Sequence, residues 1–81
     1  MRTNKTLREI ERLLADAVRA VAGCEKFKGV VVEIAPPGAA RRNGANWLPG
    51  FVDYGSANSM LCNEALARAV QELQMQFDAV A

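Results

Sequence analysis

Histidine is absent from this 81-residue sequence, and cysteine occurs only twice. Histidine is the commonest general base and the commonest metal ligand in proteins, so its absence removes the usual basis for both kinds of site. Cys24 and Cys62 are too far apart for a CxxC motif, and two thiols alone do not make a zinc site. The glycines are too scattered to form a phosphate-binding loop. We therefore expect the protein not to be an enzyme and to bind no cofactor or metal.

An excess of one charge and long apolar runs are also missing. Ten basic and nine acidic residues give a formal net charge of +1, which predicts no strong attraction to nucleic acid or anionic lipid. No apolar run approaches the ~18 residues of a membrane span, and no signal-peptide core follows the charged N-terminal segment. We expect a cytoplasmic protein with no membrane partner and reduced thiols. Whether Cys24 and Cys62 pair is left open, since antiparallel helices would bring them close.

Two stretches have the pattern of amphipathic helices. The first, at about 7–22, starts with a capping box formed by Thr6 and Glu9, and Gly23 is suited to end it. The second, at about 59–79, follows a turn that is rich in N-cap residues. Apolar residues recur at steps of three and four in both. In the first helix they are Leu7, Ile10, Leu14, Ala17, Val18 and Val21, and in the second Cys62, Leu66, Ala69, Val70, Leu73, Phe77 and Val80.

The region between the helices predicts a β-hairpin. Residues 27–35 include three consecutive valines, whose β-branched side chains favour a strand, and two prolines end it. Residues 36–46 read as a loop. A weaker strand follows at about 47–54, and Pro49 and Gly50 predict that it is an edge strand, bulged or broken near its start.

These elements predict one α+β domain over 1–81, a two-layer αββα sandwich in which two helices cover an antiparallel hairpin. A lone hairpin is only marginally stable, and the sequence has more apolar area than two thin layers easily hide. We therefore expect a homodimer in which two hairpins pair edge to edge or pack face to face. The candidate dimer-interface residues are Phe27, Val31, Trp47 and Phe51.

The loop contains the most basic exposed segment, Arg41-Arg42, and an Asn43-Gly44 turn dipeptide, with Trp47 a few residues later. Guanidinium groups neutralise phosphates and an indole stacks on bases, so Arg41 and Arg42 are candidates for phosphate or nucleic-acid contact. The alternative interpretation is an ordinary solvated loop with Trp47 packed beneath it. Near-zero net charge and the lack of a known binding motif favour the second interpretation.

Residues 43–49 resemble a Gly-x-Asn-Trp-x-Pro segment found in a group of short uncharacterised bacterial proteins. The residues that carry the resemblance are Gly44, Asn46, Trp47 and Pro49. In that group, too, the segment follows a valine-rich strand and precedes a final amphipathic helix. The resemblance implies a fold and no chemistry. Physically, the Asn46 side chain is suited to cap the turn, and Trp47 to seal the hairpin onto the helices.

The predicted function is that of a small non-enzymatic protein, a dimeric adaptor or regulatory module that binds an unidentified protein partner. The alternative is a nucleic-acid-binding accessory protein that uses Arg41 and Arg42. A third and weaker hypothesis is an enzyme with a pocket at the dimer interface. Glu33 and Asp53 are a possible carboxylate pair on adjacent strands, but no nucleophile or base accompanies them, so we interpret them as solvated charges at strand ends.

Overall fold

The computed structural model describes residues 2–80, which form six secondary-structure elements. In chain order these are β1 (Thr3–Thr6), α1 (Leu7–Arg19), β2 (Gly29–Ile34), β3 (Trp47–Asp53), α2 (Ser59–Gln76) and β4 (Phe77–Val80). β1 and β4 pair in parallel, and β2 and β3 pair antiparallel, giving two small sheets. The α+β class is confirmed, and β1 and β4 are additions to the expected αββα order. The predicted domain limits include Met1 and Ala81, which lie outside the described residues.

α1 begins with the predicted capping box. The Thr6 hydroxyl accepts a hydrogen bond from the Glu9 amide at 3.1 Å, and the Thr6 amide donates to the Glu9 carboxylate at 3.3 Å. The helix ends at Arg19, earlier than the predicted residue 22. Two turns of the 3₁₀ type follow the helix. In the first the Val21 amide donates to the Val18 carbonyl, and in the second the Cys24 amide donates to the Val21 carbonyl.

The hairpin of β2 and β3 has the predicted irregularity. Its register shifts between Val30, which pairs with Val52, and Val32, which pairs with Pro49. Between these two pairs β3 has one more residue than β2, and the extra residue forms a bulge beside Pro49 and Gly50, residues that are typical of irregular strands. β2 begins at Gly29 rather than at the predicted residue 27.

The loop between β2 and β3 contains a tight turn at Asn43-Gly44. Both residues have positive φ, 51° and 84°, as a type I′ turn requires. The flanking residues Arg42 and Ala45 exchange main-chain hydrogen bonds of 3.2 and 2.8 Å. The turn dipeptide identified in the sequence is therefore an ordered two-residue hairpin connection.

α2 is capped by Asn58, whose side chain accepts from the Leu61 amide at 3.0 Å. The prediction that this helix continues to residue 79 is wrong, since the chain becomes extended at Phe77 (φ −125°, ψ 144°). β4 then pairs with β1, with Thr3 opposite Phe77 and Thr6 opposite Val80. Within residues 2–80, neither helix has both the length and the apolar character that a membrane crossing requires.

Arg2 stabilises the transition from α2 to β4. Its guanidinium donates to the carbonyls of Gln74, Met75 and Phe77, the last at 2.7 Å. Carbonyls in the last turn of a helix have no partner within the helix, and a cation there also interacts favourably with the helix dipole. The side chain of Arg2 thus caps α2 from the other end of the described chain.

A single core joins both helices to both sheets. α1 packs against β2 and α2, whereas α2 contacts β3 more sparsely. The largest fully buried side chains are Trp47, Phe27, Ile10, Leu14, Val18, Cys24 and Cys62. Gln74 is a polar residue in this core, and its amide is satisfied: its Nε2 donates to the Trp47 carbonyl at 2.8 Å, and its Oε1 accepts from Asn43 at 2.9 Å.

Candidate functional site

The outer face of the hairpin carries exposed apolar side chains. Val31 lies between two buried strand residues, Val30 and Val32, so its side chain is on the opposite face, where it is 49% exposed. Phe51 is 72% exposed and precedes Val52, which pairs with the buried Val30. It therefore lies on the same side as Val31. We call the surface formed by Val31 and Phe51 the outer hairpin face.

Two of the four candidate interface residues are not on this surface. Phe27 is 1% exposed and packs edge-on against Tyr54, with ring centroids 6.0 Å apart. Trp47 is fully buried, and its indole donates to the Phe77 carbonyl at 3.0 Å. The prediction that Phe27 and Trp47 add to a free apolar surface is wrong, because a single chain already encloses both.

Side chains of α1 partly cover the outer edge of β2 and the residues just before it. The carboxylate of Glu11 accepts from the Val32 amide at 2.9 Å. Next to the strand, the Arg19 guanidinium donates to the carbonyls of Phe27 and Lys28 at 2.8 and 2.7 Å. An edge whose main-chain groups already have partners is a poor template for pairing with another strand.

The outer edge of β3 is also partly blocked. Pro49 has no amide to donate, and the Trp47 carbonyl already accepts from Gln74. Proline on an edge strand is a common means of preventing edge-to-edge association. Both outer edges of the hairpin are therefore poorly suited to pairing with another strand.

Arg41 contributes to the fold. Its Nε donates to the Gly44 carbonyl at 2.8 Å, and its Nη2 donates to the Asp78 carboxylate at 2.7 Å. Arg42 is exposed, and its main chain forms the turn bridge with Ala45. Nucleic-acid contact by this pair stays a prediction, but one of its two cations already joins the loop to β4.

The segment that carries the family resemblance attaches β4 to the hairpin. The Asn46 side chain pairs with both main-chain groups of Ala79: its Nδ2 donates to the carbonyl at 2.9 Å and its Oδ1 accepts from the amide at 2.8 Å. Trp47, the next residue, donates to Phe77 on the same strand. Asn46 therefore acts on a distant strand and does not serve as the local cap that the sequence suggested.

A groove of about 530 Å³ lies between β3 and α2. Strand, helix and hairpin loop all contribute to its walls. The lining residues are Arg42, Asn43, Leu48, Pro49, Gly50, Val52, Asn63, Leu66, Ala67, Val70, Gln71 and Gln74. We call it the α2–β3 groove. Its size falls within the range of about 300–1,000 Å³ that is typical of ligand-binding clefts.

The two thiols are free and fully buried. Burial raises the pKa of Cys24 to about 11, and the neighbouring Cys62 thiol contributes to the increase. The reactive species of a cysteine is the thiolate, so this environment disfavours nucleophilic chemistry. The chain segments around the thiols are in close contact, since an added side chain at Gly23 would meet Leu61.

Glu33 and Asp53, the possible carboxylate pair, are not neighbours in the hairpin. Glu33 pairs with Leu48 and Asp53 with Gly29, so the two carboxylates lie towards opposite ends of the hairpin. Within residues 2–80, no group of three or more Cys, Asp or Glu side chains is placed to hold a metal ion.

No family model, curated protein or solved structure matches this chain. Any functional conclusion therefore depends on its own surfaces.

The α2–β3 groove was not identified from the sequence. The sequence pattern places Leu66 and Val70 on the apolar face of the second helix and Arg42 in the loop between the two strands. The groove exists because α2 packs closely on α1 and leaves space beside β3, which is a tertiary property. Ala67 and Gln71 border the apolar face of the second helix. A small residue and an amide residue at these positions are a weak local indication of a groove.

Proposed function

We propose that this protein is a non-enzymatic protein-contact module that self-associates through its outer hairpin face. The observation that carries the proposal is Phe51, the most exposed aromatic side chain described, next to the half-exposed Val31. Exposed apolar side chains that adjoin one another mark association sites, and these two lie on the same face of the hairpin. The core already encloses Phe27 and Trp47, which leaves Phe51 as the most exposed apolar side chain of the hairpin.

The energetics support this face as the contact. Burying a phenylalanine side chain stabilises an association by about 1.5–3 kcal/mol, and a two-fold interface uses the same residues from both copies. A two-fold dimer through this face therefore buries two Phe51 side chains, one from each copy. Edge pairing would first have to displace Glu11 from β2, or accommodate Pro49 in β3.

The test is the solution mass of Phe51→Ser compared with the unchanged chain. We expect the unchanged protein to have the mass of two chains at micromolar concentration and Phe51→Ser to have the mass of one, by light scattering. Met60→Ser is the matched control, because Met60 is a similarly exposed apolar residue, 79% exposed, but lies on α2. It should leave the mass unchanged. A one-chain mass for the unchanged protein would refute self-association.

A further inference from the structure

The α2–β3 groove combines an apolar floor with a single charge. Aliphatic side chains of β3 and α2 face one another across it, including Val52 and Leu66. Arg42, at the end nearest the hairpin loop, is the one charged residue among the described residues that line it. An occupant that complements this surface has aliphatic groups along its length and a negative charge at one end.

The positive charge of Arg42 is available to such an occupant. Its neighbour Arg41 is held by Asp78 and Gly44, whereas the hydrogen bonds that Arg42 makes within residues 2–80 come from its main chain. The C-terminal end of α2 lies at the same end of the groove, and its carbonyls would repel an anion. The guanidinium of Arg2 covers those carbonyls and removes this obstacle.

The length of the groove suits a short extended peptide. Asn63 and Gln74 line its two ends on α2 and are eleven residues apart, about 16 Å along the helix axis. On the opposite wall, Leu48 to Val52 spans about 13 Å of strand. A segment of about four extended residues, at ~3.3 Å each, has this length. The exposed amide side chain of Gln71 can hydrogen-bond to the peptide groups of such a segment.

We propose that the α2–β3 groove binds the C-terminus of a partner protein, with about four extended, aliphatic residues along the groove and the terminal carboxylate at Arg42. Capture of a terminal carboxylate and an extended segment beside a strand is an established mode of peptide recognition. The proposal rests on the proposed role as a protein-contact module. It is independent of self-association, because Val31 and Phe51 do not line the groove.

The test uses the full chain and a fluorescently labelled hexapeptide, Gly-Ser-Gly-Val-Leu-Val, with a free C-terminus, followed by anisotropy. We expect C-terminal amidation of the peptide to weaken binding about tenfold, because it removes a charge-assisted hydrogen bond. Arg42→Ala should weaken binding of the free-acid peptide by the same factor and leave binding of the amidated peptide unchanged. Such a non-additive result shows that the terminal carboxylate and Arg42 interact in the complex.

Arg68→Ala is the matched control, since Arg68 is an exposed cation on α2 that lines a different groove, between α1 and α2. It should bind the free-acid peptide normally. Phe51→Ser should also retain binding, which separates failure of this proposal from failure of self-association. Equal affinity for acid and amide, no effect of Arg42→Ala, no binding at millimolar peptide, or equal competition by octanoate would each overturn the peptide assignment. The last result would instead indicate a small carboxylate ligand.

Discussion

The side chain of Asn46 takes the place of a neighbouring strand beside β4. Its amide group pairs with the amide and the carbonyl of Ala79, as a neighbouring strand would. Ala79 is 4% exposed, so water cannot easily replace these bonds. The Asn46 side chain therefore supplies both main-chain partners of Ala79, as the Trp47 indole supplies one for the Phe77 carbonyl.

We expect Asn46→Ala to lower the free energy of unfolding by roughly 2–4 kcal/mol, because it leaves two buried main-chain groups without partners. Urea unfolding measured at neutral pH tests this. Asn4→Ala is the control: Asn4 is exposed on β1, and its replacement should change the stability by no more than about 0.5 kcal/mol. Similar midpoints for the two variants would show that the Asn46 pairing is not needed for stability.

The sequence predicts structural roles for Asn46 and Trp47, but it does not show which groups these two side chains contact. It also predicts the Asn43-Gly44 turn from the dipeptide itself, and that prediction is confirmed. The groups that Asn46 and Trp47 contact lie 33 and 30 residues further along the chain. Turn preferences depend on adjacent residues and are visible in the sequence, whereas these pairings depend on how α2 packs.

Among the elements, α1 owes its start to the Thr6–Glu9 capping box. The main-chain amide of Thr6 and then its hydroxyl hold the pKa of Glu9 below its ordinary value of 4.5. A carboxylate with a lowered pKa in the folded state stabilises the protein above the unfolded value. That contribution is lost as the pH falls through the folded pKa.

We expect Thr6→Ala to lower the stability by about 1 kcal/mol at pH 7, the usual effect of removing an N-cap side chain. It should also make the loss of stability below pH 4.5 shallower, since one of the groups that lower the pKa of Glu9 is gone. Denaturant unfolding at several pH values between neutral and acid measures both effects. Thr3→Ala, at an exposed position of β1, should retain the full acid dependence. An unchanged acid slope in Thr6→Ala would contradict the assigned cause.

The C-terminal part of α2 shows why the sequence pattern missed both the end of this helix and the strand β4. Leu73, Phe77 and Val80 continue the helical spacing of apolar residues, so the pattern alone extends the helix to residue 79. The observed helix ends at Gln76, because Arg2 caps it there and β1 provides a pairing strand. Both are contributed by the opposite end of the sequence. Long-range pairing here outweighs local periodicity.

Trp47, the only tryptophan in the sequence, connects three secondary-structure elements through its hydrogen bonds. The residue belongs to β3, its carbonyl is bonded to α2 through Gln74, and its indole is bonded to β4 through Phe77. Most of the fold must therefore be intact for Trp47 to remain buried.

We expect the urea transitions followed by Trp47 fluorescence and by far-ultraviolet circular dichroism to coincide, as in cooperative two-state unfolding. The fluorescence reports the surroundings of Trp47, and the dichroism reports mainly α1 and α2. The comparison is best made with Phe51→Ser, so that dissociation of a dimer does not add a second transition. An earlier fluorescence transition would mean that β3 and β4 separate while the helices persist.

The parallel pairing of β1 with β4 has a consequence for the order of events during protein synthesis. Thr3–Thr6 is synthesised before its partner, Phe77–Val80, and the 70 residues of 7–76 are made between the two strands. Contacts between such distant residues form slowly, since a long loop must close before they contribute. On the ribosome, α1 and the hairpin can form while β1 still has an unpaired edge, and that edge is protected only once residues 77–80 have left the exit tunnel.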